Sequence, residues 1–297
     1  MKKSLKLIGN TPMYQLENTN IYIKLEKYNL GGSIKDRTVL GMIQDGEKKG
    51  ILNKDSVLIE ATSGNTGIAL ALIGKLLNYK VIIVMPDSMS IERRQLVKAY
   101  GAQLVLTPGE KGMSGAIAYM KEELEKNENY VSLGQFENPS NPQIHYDTTA
   151  VEILNQVEHP DVFVACCGTG GSYSGIAKRL KEELDNVICV VGEPETSAVM
   201  SGKPGGKHMI QGIGAGFIPD TMDMSLVDEI MLIGNDEAIS ETINFVKETG
   251  IFVGISSGAN IALAKKLANR YPDKKIVTLA PDGGEKYLSV LNFGDEQ

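Results

Sequence analysis

Compact apolar runs alternate along the chain with longer stretches in which apolar residues recur at the helical interval. Residues 57–60, 80–84 and 103–106 carry the short run of a buried strand, and 66–77 and 91–100 between them carry the helical period. The alternation resumes with a strand over 162–166, a helix over 173–184 and a strand over 187–191. It ends with helices over 236–249 and 258–269 and a strand over 275–279. Such a series predicts an α/β fold of two doubly wound domains with mainly parallel sheets, whose ligands sit at the carboxyl ends of the strands. Residues 21–25 fit a strand of either sheet. The stretch Glu137-Asn138-Pro139-Ser140-Asn141-Pro142 separates the two series, and its two prolines predict a linker and a domain junction.

At 297 residues the chain is long enough for two cores, and 42% hydrophobic and 23% charged residues describe a globular protein rather than a disordered one. A net charge of −7 argues against nucleic acid or an anionic membrane as partner, because little would be gained from counterion release. Cys166, Cys167 and Cys189 lie within apolar runs without metal-ligand or disulfide spacing, so core packing is expected of them and no metal site is predicted. The segment Met1 to Gly9 lacks an apolar signal core and no run is long enough to cross a bilayer, which predicts a cytoplasmic protein.

Two glycine-punctuated turns follow predicted strands and open predicted helices: Thr62-Ser63-Gly64-Asn65-Thr66-Gly67 and Gly168-Thr169-Gly170-Gly171-Ser172. The first N–H groups of a helix have no intrahelical acceptor, and small residues let an anion approach them. Two such turns suggest two anionic groups, as on a phosphorylated cofactor and a carboxylate substrate. The second turn resembles a dinucleotide fingerprint, with Glu193 after the next strand as a ribose ligand, but Tyr173 stands where the third glycine belongs. Its pattern fits a phosphate cradle or an ordinary glycine turn.

Gly254-Ile255-Ser256-Ser257-Gly258 matches a nucleophile elbow, yet His145, His159 and His208 all precede it, against the chain order that a hydrolase of that class requires. The alternatives for Ser256 are an N-cap on the following helix and a hydrogen bond to a buried ligand heteroatom. Lys35, in Gly31-Gly32-Ser33-Ile34-Lys35-Asp36-Arg37, is either an ordinary solvated lysine or a desolvated amine able to form a Schiff base.

Taken together these segments resemble the cysteine synthase (O-acetylserine sulfhydrylase) family of fold-type II pyridoxal phosphate enzymes, whose fold is like that of the tryptophan synthase β subunit. The resemblance runs nearly end to end. It includes Ile8-Gly9-Asn10-Thr11-Pro12, the Lys35 and Asn65 blocks, Met85-Pro86, Ser90-Ile91-Glu92-Arg93-Arg94, Gln135-Phe136-Glu137-Asn138-Pro139, the second glycine turn, Gln211 to Pro219, and Gly254 to Gly258.

The resemblance implies that Lys35 carries the cofactor as a Schiff base and acts as acid and base. It implies further that Asn65 bonds the cofactor's ring hydroxyl, Gly168, Thr169, Gly170, Gly171 and Ser172 its phosphate, and Ser256 its pyridine nitrogen. Thr62, Ser63, Asn65, Thr66 and Gln135 would take the substrate. The division implied is a smaller domain over 35–145 and a larger one over 1–34 and 146–297. The reaction implied is β-replacement through an aminoacrylate, converting O-acetylserine and sulfide to cysteine and acetate, since a neutral serine at the pyridine makes the ring a weaker electron sink. A homodimer and a serine acetyltransferase tail as partner are implied as well.

Leu30, Ala61 and Ser172 depart from the family pattern conservatively. Ser114, Ala150 and Gly283 are departures expected to alter the pocket, so two other readings stand beside the first. Cysteine could be the donor, releasing hydrogen sulfide and giving lanthionine with a second cysteine or serine with water. The chain could also be a catalytically silent, ligand-binding relative.

Overall fold

A computed structural model describes residues 2–293; Met1 and 294–297, the two ends of the expected larger domain, lie outside the described residues. In chain order the elements are β1 (Met13–Gln15), β2 (Ile21–Leu25), α1 (Lys35–Lys48), β3 (Val57–Ala61), α2 (Asn65–Leu76), β4 (Lys80–Pro86), α3 (Ile91–Ala99), β5 (Gln103–Thr107), α4 (Gly112–Lys126) and β6 (Tyr130–Val131). They continue as α5 (Ser140–Ile144), α6 (Ala150–Gln156), β7 (Val162–Cys166), α7 (Gly171–Glu183), β8 (Ile188–Pro194), β9 (Glu229–Ile233), α8 (Asn235–Thr249), α9 (Ile255–Arg270) and β10 (Ile276–Ala280).

The strands form two sheets, one in the order β1-β2-β10-β7-β8-β9 and one in the order β5-β4-β3-β6. Among the strands of the described residues only the β1–β2 pair is antiparallel, and the run over 21–25 belongs to the larger sheet between β1 and β10. The central strands β3 and β7 are buried along nearly their whole length and apolar apart from Glu60, as a parallel sheet covered by helices requires. Chain direction across each sheet reverses once. β3 leads outward to β4 and β5 while β6 returns to its other side, and β7 leads to β8 and β9 while β10 returns to its other side. Crevices therefore open at the carboxyl ends of β3 and β6 and of β7 and β10.

The proline-containing stretch over 137–142 is not an unstructured linker. Pro139 precedes α5 and Pro142 falls in its first turn, where a missing N–H costs nothing; one π-helical turn, His145–Thr149, then leads into α6. α5 packs on both α1 and α7, and Gly41 and Gly175 are required there because a Cβ at either would overlap Ile144 or the Pro142 carbonyl.

A buried ion network ties these parts together. The Arg37 guanidinium, two residues beyond Lys35, bonds both oxygens of Glu26 at 2.8 Å and both of Glu152 at 2.6 and 2.7 Å. Lys24 on β2 adds 2.7 Å to Glu152 and 2.6 Å to the Thr11 carbonyl. Burial raises the Glu152 carboxyl, but the hydrogen bonds and charge of Arg37, with Lys24, more than reverse that and hold it at about 2. Its folded value thus lies below its ordinary 4.5, so the stabilisation is fully present above that pH and fades as pH falls toward 2. Arg37→Met leaves the buried Glu26 without its cationic partner and Glu152 with Lys24 alone, and is expected to cost about 3–5 kcal/mol in denaturant unfolding. The variant should also lose less stability than wild type between pH 5 and pH 3; an unchanged unfolding midpoint and acid profile would contradict this reading.

Candidate active site

The two crevices merge into one cavity of about 240 Å³. Lys35, Thr62, Ser63, Asn65, Thr66, Gln135, Gly168, Thr169, Gly170, Ser172 and Ser256 all line it. Of the residues expected to hold cofactor or substrate, Gly171 alone does not line it. It is the first residue of α7, and a Cβ there would lie 2.1 Å from Asn141 Oδ1, so it is needed for packing beneath the loop.

Lys35 starts α1, directly after a backbone hydrogen bond from Ile34 to the Pro281 carbonyl at the end of β10. Burial pulls its amine down to about 8, and no carboxylate offsets that shift. An amine so placed is partly unprotonated near neutral pH, as a nucleophile or base must be.

Thr62 and Ser63 follow β3, and Asn65 begins α2 with Gly64 as its N-cap. Across the crevice, Thr66 Oγ1 donates to Gln135 Oε1 at 2.6 Å, which turns the Gln135 amide nitrogen away as a free donor. Gln135 is anchored in turn by Asn141 Nδ2 on its carbonyl, 2.8 Å. Two residues before Thr62, Glu60 of β3 accepts from Ser132 Oγ and the Leu133 N–H.

The second glycine turn caps α7 with Gly170 at φ +85°, a left-handed conformation that suits glycine. A Cβ at Gly168 would lie 2.3 Å from the Gly212 carbonyl, and one at Gly170 would lie 2.5 Å from Met222. Asn141 Nδ2 bonds Thr169 Oγ1 at 3.0 Å. His145 Nε2 lies 3.1 Å from Ser172 Oγ and 2.9 Å from Thr38 Oγ1, with Nδ1 at 2.9 Å from Thr149 Oγ1. Sequence reasoning missed both supporting residues. Asn141 and His145 carry no motif, and only the turn of chain at α5 brings them beneath the loop.

The rival readings resolve on geometry. Glu193 is buried and accepts from the Met200 and Ser201 N–H groups, so it anchors a loop instead of facing the cleft. Tyr173 replaces a fingerprint glycine because its ring fills core space stacked on Phe163, centroids 5.7 Å apart. Ser256 is not an N-cap; Gly254 caps α9 and Ser256 is its second residue. Both glycines of the elbow pattern serve packing, with a Cβ at either falling 2.1 Å from Asp282 Oδ1 or Thr242 Oγ1. None of the three histidines hydrogen-bonds Ser256. Of the departures expected to reshape the pocket, Ser114 lies exposed on α4, Ala150 is buried at the start of α6, and Gly283 pairs with Val253; none lines the cavity.

This constellation of a desolvated lysine between two anion-accepting helix starts is that of a cofactor-dependent enzyme. The pyridoxal-phosphate dependent enzyme family matches residues 5–282. The chain belongs to that family and, within it, to the cysteine synthases. It is 46% identical over 301 residues to the cysteine synthase of Staphylococcus aureus, a match covering 98% of this chain and 97% of that one. Among solved structures, it matches cysteine synthase from Entamoeba histolytica with a TM-score of 0.95 at 39% identity, covering 100% of this chain and 92% of that one. It also matches a hydrogen sulfide-producing enzyme from Fusobacterium nucleatum, with a TM-score of 0.89 at 44% identity and covering 97% and 100% of the two chains.

The protein is a pyridoxal phosphate enzyme, and the cavity fits that group. The tight glycine loop at the head of α7 offers close-approach N–H groups to a phosphate. Lys35 offers an amine without a competing carboxylate, and Ser256 Oγ makes no hydrogen bond among the described residues. Among the described residues there is no group of side chains able to hold a metal ion, and no helix is long and apolar enough to cross a membrane.

Burial, with the charges of Lys35 and Arg37, lowers His145 well below its ordinary value, which keeps the imidazole neutral beneath the loop. The His145 ring resonances should therefore stay constant in NMR spectra from pH 5.5 to 8. A midpoint near 6.5 would contradict that assignment.

Proposed function

We propose that the protein catalyses β-replacement on a small amino acid, with O-acetylserine as donor and sulfide as nucleophile, giving cysteine and acetate. The observation that carries this reading is the partly desolvated Lys35 amine, set without a carboxylate partner where the carboxyl ends of both sheets meet.

When bound, pyridoxal phosphate supplies the electron sink that loosens the Cα hydrogen of the amino acid. Gly168, Thr169, Gly170 and Ser172 would hold its phosphate, with the start of α7 adding about 0.3–1 kcal/mol of favourable field. Asn65 would face the ring hydroxyl and Ser256 the pyridine nitrogen; a serine hydroxyl there cannot keep the nitrogen protonated as a carboxylate would. Thr62, Ser63 and Thr66, at the N-terminal end of α2, would take the substrate carboxylate with the free nitrogen of Gln135. That arrangement aims the Cα hydrogen at one base. Lys35 Nζ then accepts that proton and returns it after the nucleophile has added, a task suited to an amine that titrates near 8.

The same proposal includes a smaller domain over 35–145 that closes on the larger one, 1–34 with 146–297. Separate sheets support it, although Leu5 packs within the core beneath the smaller sheet. It also includes a homodimer, a cytoplasmic setting, and the tail of a serine acetyltransferase as a partner. The exposed Phe136 and Phe217 rings, 5.3 Å apart beside the cleft, would suit such a tail.

A second reading has its own support in the 44% identity to a hydrogen sulfide-producing enzyme. In it cysteine is the donor, hydrogen sulfide leaves, and a second cysteine or water adds to give lanthionine or serine. Product identification by mass spectrometry, with kcat/KM for each donor, separates the two. The leading reading expects O-acetylserine plus sulfide to be favoured by orders of magnitude over cysteine alone. The reverse preference would overturn it in favour of the second, and no turnover with either donor would leave only a silent relative.

A further inference from the structure

The chain after β10 reaches back across the cleft to the first glycine turn. Lys286 Nζ donates to Asn65 Oδ1 at 2.8 Å and to the Gly32 carbonyl at 3.1 Å. Asn65 Nδ2 donates to Asp282 Oδ2 at 2.7 Å, and Tyr287 Oη donates to the same oxygen at 2.7 Å. Lys286 and Asp282 are themselves buried and lie 3.8 Å apart.

An amide side chain can be turned end for end with little change of shape, so its direction depends on its partners. Here the partners leave no choice. An ammonium group has no lone pair and can meet only the amide oxygen, whereas a carboxylate can meet only the amide nitrogen. The oxygen of Asn65 is thereby occupied, and one of the two Nδ2 hydrogens is spent on Asp282. The remaining hydrogen is the only polar feature of the amide left for the cavity that Asn65 lines.

We propose that Lys286 and Asp282 are positioning residues that fix Asn65 as a hydrogen-bond donor toward the cofactor, Lys286 acting on the oxygen and Asp282 on the nitrogen. The proposal rests on the reading that Asn65 faces the ring hydroxyl of pyridoxal phosphate. It extends that reading to residues 217 and 221 positions away in the chain, neither of which lines the cavity. A donor that cannot turn favours an ionised ring oxygen over a protonated one, because a protonated oxygen would itself seek an acceptor. The signature belongs in the absorption of the bound cofactor as well as in catalysis.

The test compares wild type, Lys286→Met, Lys286→Arg, Asn65→Ala and the double variant Asn65→Ala with Lys286→Met. Each is loaded with pyridoxal phosphate and read by visible absorption, cofactor dissociation constant and thermal midpoint. Lys286→Met should move the absorption maximum in the same direction as Asn65→Ala and weaken cofactor affinity roughly tenfold, the scale of one lost hydrogen bond to a charged group. Lys286→Arg, which keeps a cationic donor, should restore the wild-type absorption. Placed on Asn65→Ala, Lys286→Met should change affinity less than about twofold, since the two residues act as one unit. A thermal midpoint that falls while absorption and affinity hold, or a full tenfold loss on the Asn65→Ala background, overturns the proposal. If Lys286→Met yields no folded protein, Asp282→Ala, which removes the acceptor of the Asn65 amide nitrogen, carries the same comparison, and wild-type absorption and affinity in that variant are equally fatal. A Lys35→Ala protein that keeps the wild-type absorption would instead strike the cofactor reading on which the proposal stands.

Discussion

The Arg37 guanidinium holds two carboxylates at once, the buried Glu26 from the segment after β2 and the partly buried Glu152 from α6, and it does so within one turn of Lys35. Planar and permanently charged, it can satisfy both bidentately, which a lysine could not. Only Arg37 reaches both carboxylates, so the start of α1 is tied to the segment after β2 and to α6 at once, with Lys24 holding Glu152 from β2. The ion network is arranged so that Arg37 faces the carboxylates and Lys35 faces none. Lys35 is therefore left with burial as the main influence on its amine.

From that fixed amine the rest of the cavity follows by division of polarity. Helix starts at α2, α7 and α9 bring N–H groups and small hydroxyls to the cleft, and the acidic and basic side chains nearby are spent on protein groups. Asp282 and Lys286 hold Asn65, Glu60 holds the 132–133 segment, and Glu193 holds the 200–201 loop. The lining that remains is of neutral donors around one amine, suited to a dianionic phosphate and a carboxylate. The supporting histidine is neutral for the same reason: a cation beneath the phosphate loop would require burying a further charge beside Lys35 and Arg37.

Much of this was legible in sequence where a residue's role is local. β3 and β7 are short runs that are buried and apolar save for Glu60, so their pattern stood out, and the turns after them carry the glycines that the backbone needs. β6 has only two residues and β9 is half-buried along most of its length, so neither announced itself. α4 buries one residue fully, too little to give a strong stripe. The prolines over 137–142 misled because proline ends a helix in its interior but is tolerated in its first turn. Asn141, His145, Asp282 and Lys286 were invisible for a different cause. Each acts on a residue distant in sequence or across a helix turn, and spacing encodes no such contact.

Reduction of the loaded enzyme with borohydride, followed by peptide mass spectrometry, tests the central claim most directly, because it locates the amine that binds the cofactor. Phosphopyridoxyl mass on the peptide containing Lys35, with no other lysine labelled, is the predicted result. Label on Lys286, the other lysine buried beside the cleft, or label retained by Lys35→Ala, would contradict the account.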